Sequence, residues 1–271
     1  MGRRECLGGS PLENLPPIQM LWFGKPLSTM ENLSISSFLR HGHDVHLYTY
    51  QDDIGTPPVG TVLMDADDIV PTRTFARLRE QGVRAAIFSD YFRYSLLYQR
   101  GGWWTDCDIV CVRPFDLTSE IVLGWQDATT INNAVMRLPA GHEAAALLVE
   151  HCLHPTRWRA GDGWRRLARK SRDAVQGHRT LETVRWGMTG PLAATAVAKR
   201  LKLVDHAMPP EAFFPVHWTD YELLFRPGVV ELGPTSYAVH LWNEMRRLGK
   251  SLDPEQGSPI QEWMTAYDVT A

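Results

Sequence analysis

Asp106 and Asp108 stand two residues apart in the run Gly101-Gly102-Trp103-Trp104-Thr105-Asp106-Cys107-Asp108-Ile109-Val110. In extended backbone, residues at i and i+2 project to the same side. Two converging carboxylates only accept hydrogen bonds, so they repel each other unless a cation sits between them. Mg²⁺ and Mn²⁺ take oxygen ligands and often leave positions for substrate phosphates. The pair lies between a helix-ending glycine pair and the apolar run Ile109–Val112, which sets it apart from chance pairs on solvated turns. Cys107, between the two, points away from them in extended geometry and reads as structural filler. A rival, Asp65-Ala66-Asp67-Asp68, also follows an apolar run. No buried helix leads into it and Pro71 follows closely, so it reads as a solvated loop or helix start.

Four further positions carry chemistry. The stretch Ala85–Arg100 is apolar around most of a helix, interrupted by Asp90 and Arg93. Those two are neighbours on one face. Buried charges are costly unless paired or engaged by a ligand, so they form either a structural ion pair or a grip on a ligand's polar groups. Trp22 stands at the carboxyl end of the first strand, either as a core residue or as a face for a stacked base. His240, in the strand Tyr237–Trp242, is a candidate third ligand beside the two carboxylates, with His217 competing for the role.

These residues need positioning elements. Strands are expected at Ile18–Gly24, Val45–Tyr50, Val59–Met64, Ile109–Val112, Ile121–Trp125, Asn133–Leu138 and Tyr237–Trp242. Helices are expected at Ser28–Arg40, Thr74–Gln81, Ala85–Arg100, His142–Cys152 and Thr189–Leu201, with a polar, arginine-rich segment at Arg157–Arg172. The alternation argues for an α/β fold with a mainly parallel sheet flanked by helices, which binds ligands at the carboxyl ends of its strands. The domain reading is a tail over 1–15, one catalytic domain over 16–250 and a tail over 251–271.

The composition, 44% hydrophobic and 22% charged over 271 residues, is that of a soluble globular protein. A formal net charge of −3 argues against a nucleic-acid partner. Cys6, Cys107, Cys111 and Cys152 form no zinc-type pairing. Met1–Leu15 lacks an apolar core for export, and no apolar run is long enough to span a bilayer. The expectation is therefore a cytoplasmic protein, with peripheral association at the inner membrane face left open.

The run Ser89–Tyr98 followed by Gly101–Asp108 resembles the sugar-binding region containing the DXD motif of GT-A fold glycosyltransferases. Those enzymes are related to yeast initiating mannosyltransferases and, more distantly, to large clostridial glucosylating toxins. Pro17–Gly24 is similar to their opening strand, and Asp65–Pro71 resembles a non-catalytic element of theirs. Gly190-Pro191, Phe213-Phe214-Pro215 and Ala238–Asn243 resemble the C-terminal region of α-1,4-glycosyltransferases.

The resemblance implies a GT-A, Rossmann-like nucleotide-sugar-binding fold and a UDP-sugar donor held through Mn²⁺ or Mg²⁺. It also implies transfer with retention to a glycan, lipid-linked glycan or protein acceptor, with surface polysaccharide synthesis as the setting. Carried onto this sequence, Trp22 stacks on the uracil, with Phe23 beside it. Asp90 and Arg93 bind donor sugar hydroxyls, Asn133 lies near that sugar, and Gly190 and Trp242 border the donor. Asp106 touches ribose and metal, Asp108 binds the metal directly, and His240 is its third protein ligand. Trp104 departs from the tyrosine common in relatives: stacking survives, but a phenolic hydrogen bond does not. The alternatives are a toxin-like transferase acting on protein, a catalytically silent nucleotide-sugar-binding module and a haloacid dehalogenase-type phosphohydrolase. The last should show an apolar strand before the motif, where this sequence has a tryptophan pair.

Overall fold

The computed structural model describes residues 15–50, 53–159, 163–185, 187–248 and 253–270. In chain order the elements are β1 (Ile18–Leu21), α1 (Thr29–Arg40), β2 (Val45–Thr49), β3 (Thr61–Asp65), α2 (Thr72–Glu80) and α3 (Ala85–Gln99). They continue as β4 (Gly102–Thr105), β5 (Ile109–Cys111), β6 (Val122–Trp125), β7 (Ile131–Leu138), α4 (Glu143–Leu153), α5 (Trp164–Val175) and α6 (Pro191–Arg200). The last are β8 (Ala207–Met208), α7 (Pro210–Phe213), β9 (Ala238–His240), α8 (Asn243–Leu248) and α9 (Pro259–Ala266).

Seven strands form one sheet in the order β3-β2-β1-β4-β7-β6-β8. Only β7 runs against its neighbours β4 and β6; the other pairings are parallel. The α/β class and the mainly parallel sheet are as expected. A separate antiparallel pair, β5 with β9, sets Ile109 opposite His240.

Strand β4 departs from the expectation that the glycine pair only ends a helix. Its two tryptophans are central sheet residues that alternate sides. Trp103 packs in the core with Ile18, Met20, Leu47 and Phe115, while Trp104 packs in the other with Leu21, Phe92 and Met136. Both indoles are fully buried. Gly101 turns the chain from α3 into this strand at φ +66°, and a Cβ there would come within 2.4 Å of the Ala140 amide nitrogen. Only glycine fits that turn. Gln19, in the neighbouring β1, donates from Nε2 to the carbonyls of Gly101 (2.8 Å) and Trp103 (3.1 Å).

Helix α1 starts with a capping box. Ser28 accepts from the Met30 amide, and Glu31 Oε2 accepts from the Ser28 amide at 2.7 Å. Between α1 and β2, buried His43 braces three segments. Its Nδ1–H donates to the Pro16 carbonyl (3.0 Å), and Nε2 accepts from the Phe115 amide (2.9 Å). Both nitrogens are used by the neutral ring, and burial holds its pKa below the usual histidine value.

Residues 1–14 lie outside the described residues. The segment expected as a C-terminal tail carries α9, whose Ile260 is fully buried, and Tyr267 donates to the Cys111 carbonyl at 3.0 Å. Its apolar side chains pack with Leu33, Val110, Val239 and Leu241. The last helix is thus part of the core.

Candidate active site

The carboxylates of the motif sit on a turn between β4 and β5, not in extended backbone. The Ile109 amide donates back to the Asp106 carbonyl at 3.2 Å, closing the turn. The convergence expected from a two-residue strand period therefore comes from a tight loop at the carboxyl end of the central strand β4.

Asp108 is held by the C-terminal strand pair. Its carbonyl accepts from the Leu241 amide (2.8 Å) and its Oδ2 from the Asn243 amide (3.0 Å). His240 Nε2 stands 3.2 Å from the same Oδ2. The register of β5 on β9, Ile109 opposite His240, puts the imidazole beside a carboxylate more than a hundred residues earlier in the chain. His217 instead caps a 3₁₀ turn over Trp218–Leu224, with Nδ1 2.8 Å from Thr219 Oγ1. Of the two candidate histidines, the structure brings His240 to the motif. Trp242, just past β9, takes a left-handed φ of +56°. Its ring lies 4.0 Å from the His240 ring, and its Nε1 donates to the Val216 carbonyl.

Asp106 is oriented from beneath. Trp104 Nε1 donates to its Oδ1 at 2.8 Å, and Arg93 Nη1 lies 2.9 Å from the same oxygen. Trp104 thus supplies a donor to the first carboxylate of the motif. Arg93 also stacks over the Trp104 ring at 5.1 Å. Its remaining donors reach the Asn133 carbonyl (2.6 Å), Ser89 Oγ (3.3 Å) and Asp90 Oδ1 (3.5 Å). Asp90 accepts in turn from Asn133 Nδ2 and from Thr189 Oγ1, both at 2.7 Å. Asn133 Nδ2 also reaches Tyr94 Oη, whose hydroxyl donates to the Thr189 carbonyl. Asp90 and Arg93 therefore form a buried, hydrogen-bonded network running from α3 to the DXD turn. Gly190 lies flat on it: a Cβ there would meet Asp90 Oδ2 at 3.3 Å and Asn133 Oδ1 at 3.4 Å.

The field at the turn favours positive charge. Burial raises the pKa of Asp106 to about 6; Arg93 opposes the rise and the neighbouring Asp108 charge adds to it. Burial also acts on Asp108, but His240 and the hydrogen bonds at that carboxylate outweigh it and hold its pKa below the usual carboxylate range. Among the described residues, no three His, Cys, Asp or Glu side chains are grouped tightly enough to enclose an ion as they stand. The donor set itself fits a divalent cation: two carboxylates and an imidazole whose buried Nδ1 has no hydrogen-bond partner.

Two hollows meet at the turn. A cleft of about 710 Å³ is lined by Trp22, Phe23, Lys25, Trp104, Asp106 and Asp108. A second, of about 520 Å³, is lined by Asp90, Arg93, Asn133, Trp218, His240 and Trp242, and shares Asp106 and Asp108 with the first. Trp22 and Phe23 lie just past the carboxyl end of β1, where parallel sheets present ligands. Phe23 packs edge-on against Phe75 and Phe88. Cys107 is buried, with Sγ 3.4 Å from the Leu21 carbonyl, as filler should be. The rival acidic run forms the 3₁₀ turn Ala66–Asp68, whose carboxylates accept from the Asp67 and Thr72 amides and pair with Arg100. It is a helix-start segment.

Sequence reasoning did not single out Thr189, Tyr94, Glu31 or Asn243. Thr189 is legible only as the residue before Gly190-Pro191. Glu31 could be found from its capping spacing to Ser28, although its second oxygen also accepts from Asn243 Nδ2 (3.3 Å) and ties α1 to the site.

Comparison with known proteins agrees with this geometry. Residues 29–128 match the family described as "Glycosyltransferase sugar-binding region containing DXD motif". Residues 180–267 match the "Alpha 1,4-glycosyltransferase conserved region". The chain is similar to lactosylceramide 4-alpha-galactosyltransferase of Mus musculus, 28% identical over 185 residues, covering 62% of this chain and 44% of that protein. It resembles the Homo sapiens protein of that name at 28% over 166 residues, 58% of this chain and 42% of that one. The match thus takes in less than half of either relative. The solved PaToxG glycosyltransferase is similar with a TM-score of 0.48 and 13% identity, over 69% of this chain and 70% of that one. The chain thus carries, in order, two segments that match glycosyltransferase family models, a DXD sugar-binding region and an alpha 1,4-glycosyltransferase conserved region.

Proposed function

We propose that this protein transfers a sugar, with retention, from a UDP-sugar donor to a hydroxyl of a glycan or glycolipid acceptor. The observation that carries the reading is the position of Asp106 and Asp108 where the two hollows meet, with His240 at 3.2 Å. A diphosphate crossing that point leaves its nucleoside on the Trp22 side and its sugar on the Asp90–Asn133 side. The relatives are named for a galactosyltransferase reaction on lactosylceramide, which agrees with a glycolipid or glycan acceptor. Strand β4 does lead into the motif, so the tryptophan pair no longer argues against a phosphohydrolase; the two family matches do.

Asp106, Asp108 and His240 would hold the divalent cation, which supplies Lewis-acid stabilisation of charge on the leaving diphosphate. The protein's own residues do the rest. Arg93 and Trp104 fix the Asp106 carboxylate through the same oxygen. Trp22 offers a half-buried indole face for the base, its N–H already donating to the Lys25 carbonyl. Asp90, kept in place by Asn133 and Thr189, presents acceptor oxygens to sugar hydroxyls. Trp218 and Leu192 add exposed apolar surface to the lining of the same hollow.

The test is a screen of UDP-sugars with the full chain and Mn²⁺, reading released UDP without acceptor. Slow hydrolysis of one donor, lost on chelation and in Asp108→Asn, is expected. No UDP from any donor, together with no metal-dependent stabilisation by UDP, would overturn the proposal.

A further inference from the structure

The arginine-rich segment, which sequence reading left without an element, contains a 12-residue helix, α5. Its inward side carries Lys170 and Asp173, both buried, and half-buried Leu167. Its outward side presents Trp164, Ala168, Arg172 and Val175, spaced four, four and three residues apart, so that they form one stripe. Trp164 is 74% exposed and Val175 84%. A second tryptophan, Trp158, 65% exposed, lies on the preceding segment. That segment is tied to the helix where Lys170 Nζ donates to the Arg157 carbonyl at 2.9 Å.

Among the described residues the charge on this surface is mainly positive: Arg165, Arg172 and Arg179 are exposed, while Arg157, also exposed, pairs with Glu150 at 2.8 Å. The acids described in the same stretch do not share that exposure: Asp173 is buried and Glu182 half-buried. The Arg165 guanidinium lies 5.2 Å over the Trp164 ring, so cation and indole form one unit.

We propose that the α5 face attaches the protein to an anionic lipid bilayer. Indoles settle at headgroup depth, arginines pair with lipid phosphates, and an aliphatic group at the far end of the stripe reaches the acyl boundary. A nucleic acid would also use arginines and stacked tryptophans. It has no use for Val175 at the end of the stripe. Helix α5 is 12 residues long, too short to cross a bilayer, so its attachment lies in the interface plane. The proposal stands independently of the reaction assigned above.

The test is co-sedimentation of the full chain with phosphatidylcholine vesicles, with and without about one third phosphatidylglycerol. Binding to the anionic vesicles alone, weakened by salt of order 0.5 M, is expected. Each arginine neutralised should weaken binding about fivefold, so Arg165→Gln with Arg172→Gln loses about 30-fold. Trp158→Ala with Trp164→Ala should weaken binding while leaving its salt dependence in place. All four positions are exposed, and an unchanged melting curve confirms that the variants fold. Equal binding to neutral and anionic vesicles, or no loss in either double variant, would overturn the proposal. So would a single-stranded RNA that displaces the protein from vesicles and whose own binding is lost in the same variants.

Discussion

Replacing Arg93 with methionine isolates what its guanidinium does, because methionine keeps most of the stem and removes the charge. The side chain is 4% exposed and faces two carboxylates, Asp90 (12%) and Asp106 (27%). Removing one partner of a buried ion pair typically costs about 3–5 kcal/mol. Asp90 keeps its bonds from Asn133 and Thr189, and Asp106 is partly solvated, so the low end applies, about 3 kcal/mol. For a chain of this size that is a fall in Tm of roughly 6–12 °C. A second substitution, Asp90→Asn, in the Arg93→Met background removes an uncompensated charge and should recover about 1–2 kcal/mol. Arg93 also holds the Asp106 pKa down. In Arg93→Met that pKa rises above its value of about 6, and protons then compete with a divalent cation at higher pH. Thermal melts with and without Mn²⁺, between about pH 5 and 8, read both effects. A variant melting within about 1 °C of the parent, with Asp90→Asn adding nothing, would show that the guanidinium is not the counter-charge and would refute the network's electrostatics.

Other expectations follow from single contacts. His43 is held neutral, its folded pKa below the unfolded 6.5, so its contribution to stability is complete above 6.5 and is lost as pH falls from there toward the folded value. The pH slope of stability in that window should be shallower in His43→Gln, and an identical slope would remove the brace from the account. Thr189→Val deletes the donor to Asp90 Oδ2 at constant shape and should cost about 1.5–3 kcal/mol in chemical denaturation, as loss of a hydrogen bond to a charged group. Gly141→Ala, at φ +72° with nothing within 4 Å, should cost only the left-handed penalty of about 1–2 kcal/mol. Gly101→Ala meets the Ala140 amide at 2.4 Å as well, and should cost clearly more in the same denaturation assay.

The elements with strong local signals were readable in advance. The helix over 85–100 appears as α3, the strand at Val45 as β2, and the Asp pair and His240 belong to one site. Strand β4 was missed because Trp103 and Trp104 serve opposite faces of the sheet, so a doubly buried strand shows no alternation of apolar and polar residues. The aspartates were expected in extended backbone, but the turn that joins them is closed by one amide whose geometry no periodicity reports. Helix α9 lies in the segment read as tail because the hydrogen-bond partner of Tyr267, the Cys111 carbonyl, is 156 residues upstream. The Asp90–Thr189 bond links positions 99 apart and leaves no local trace. What sequence pattern shows is the residue inventory of each face; which faces meet is decided by sheet order.

The short β5–β9 ladder has a consequence for the order in which the protein matures. A growing chain exposes both motif carboxylates, and even Arg93 to balance one of them, well before it contains the partner of Asp108. The Asn243 amide that bonds Asp108 Oδ2 lies 135 residues downstream. Closing so long a loop is entropically expensive and comes late in folding. His240, the imidazole proposed above as a metal ligand, thus arrives late, and on that proposal competence to grip a metal should appear abruptly, together with the last strand, and not grow in proportion to chain length.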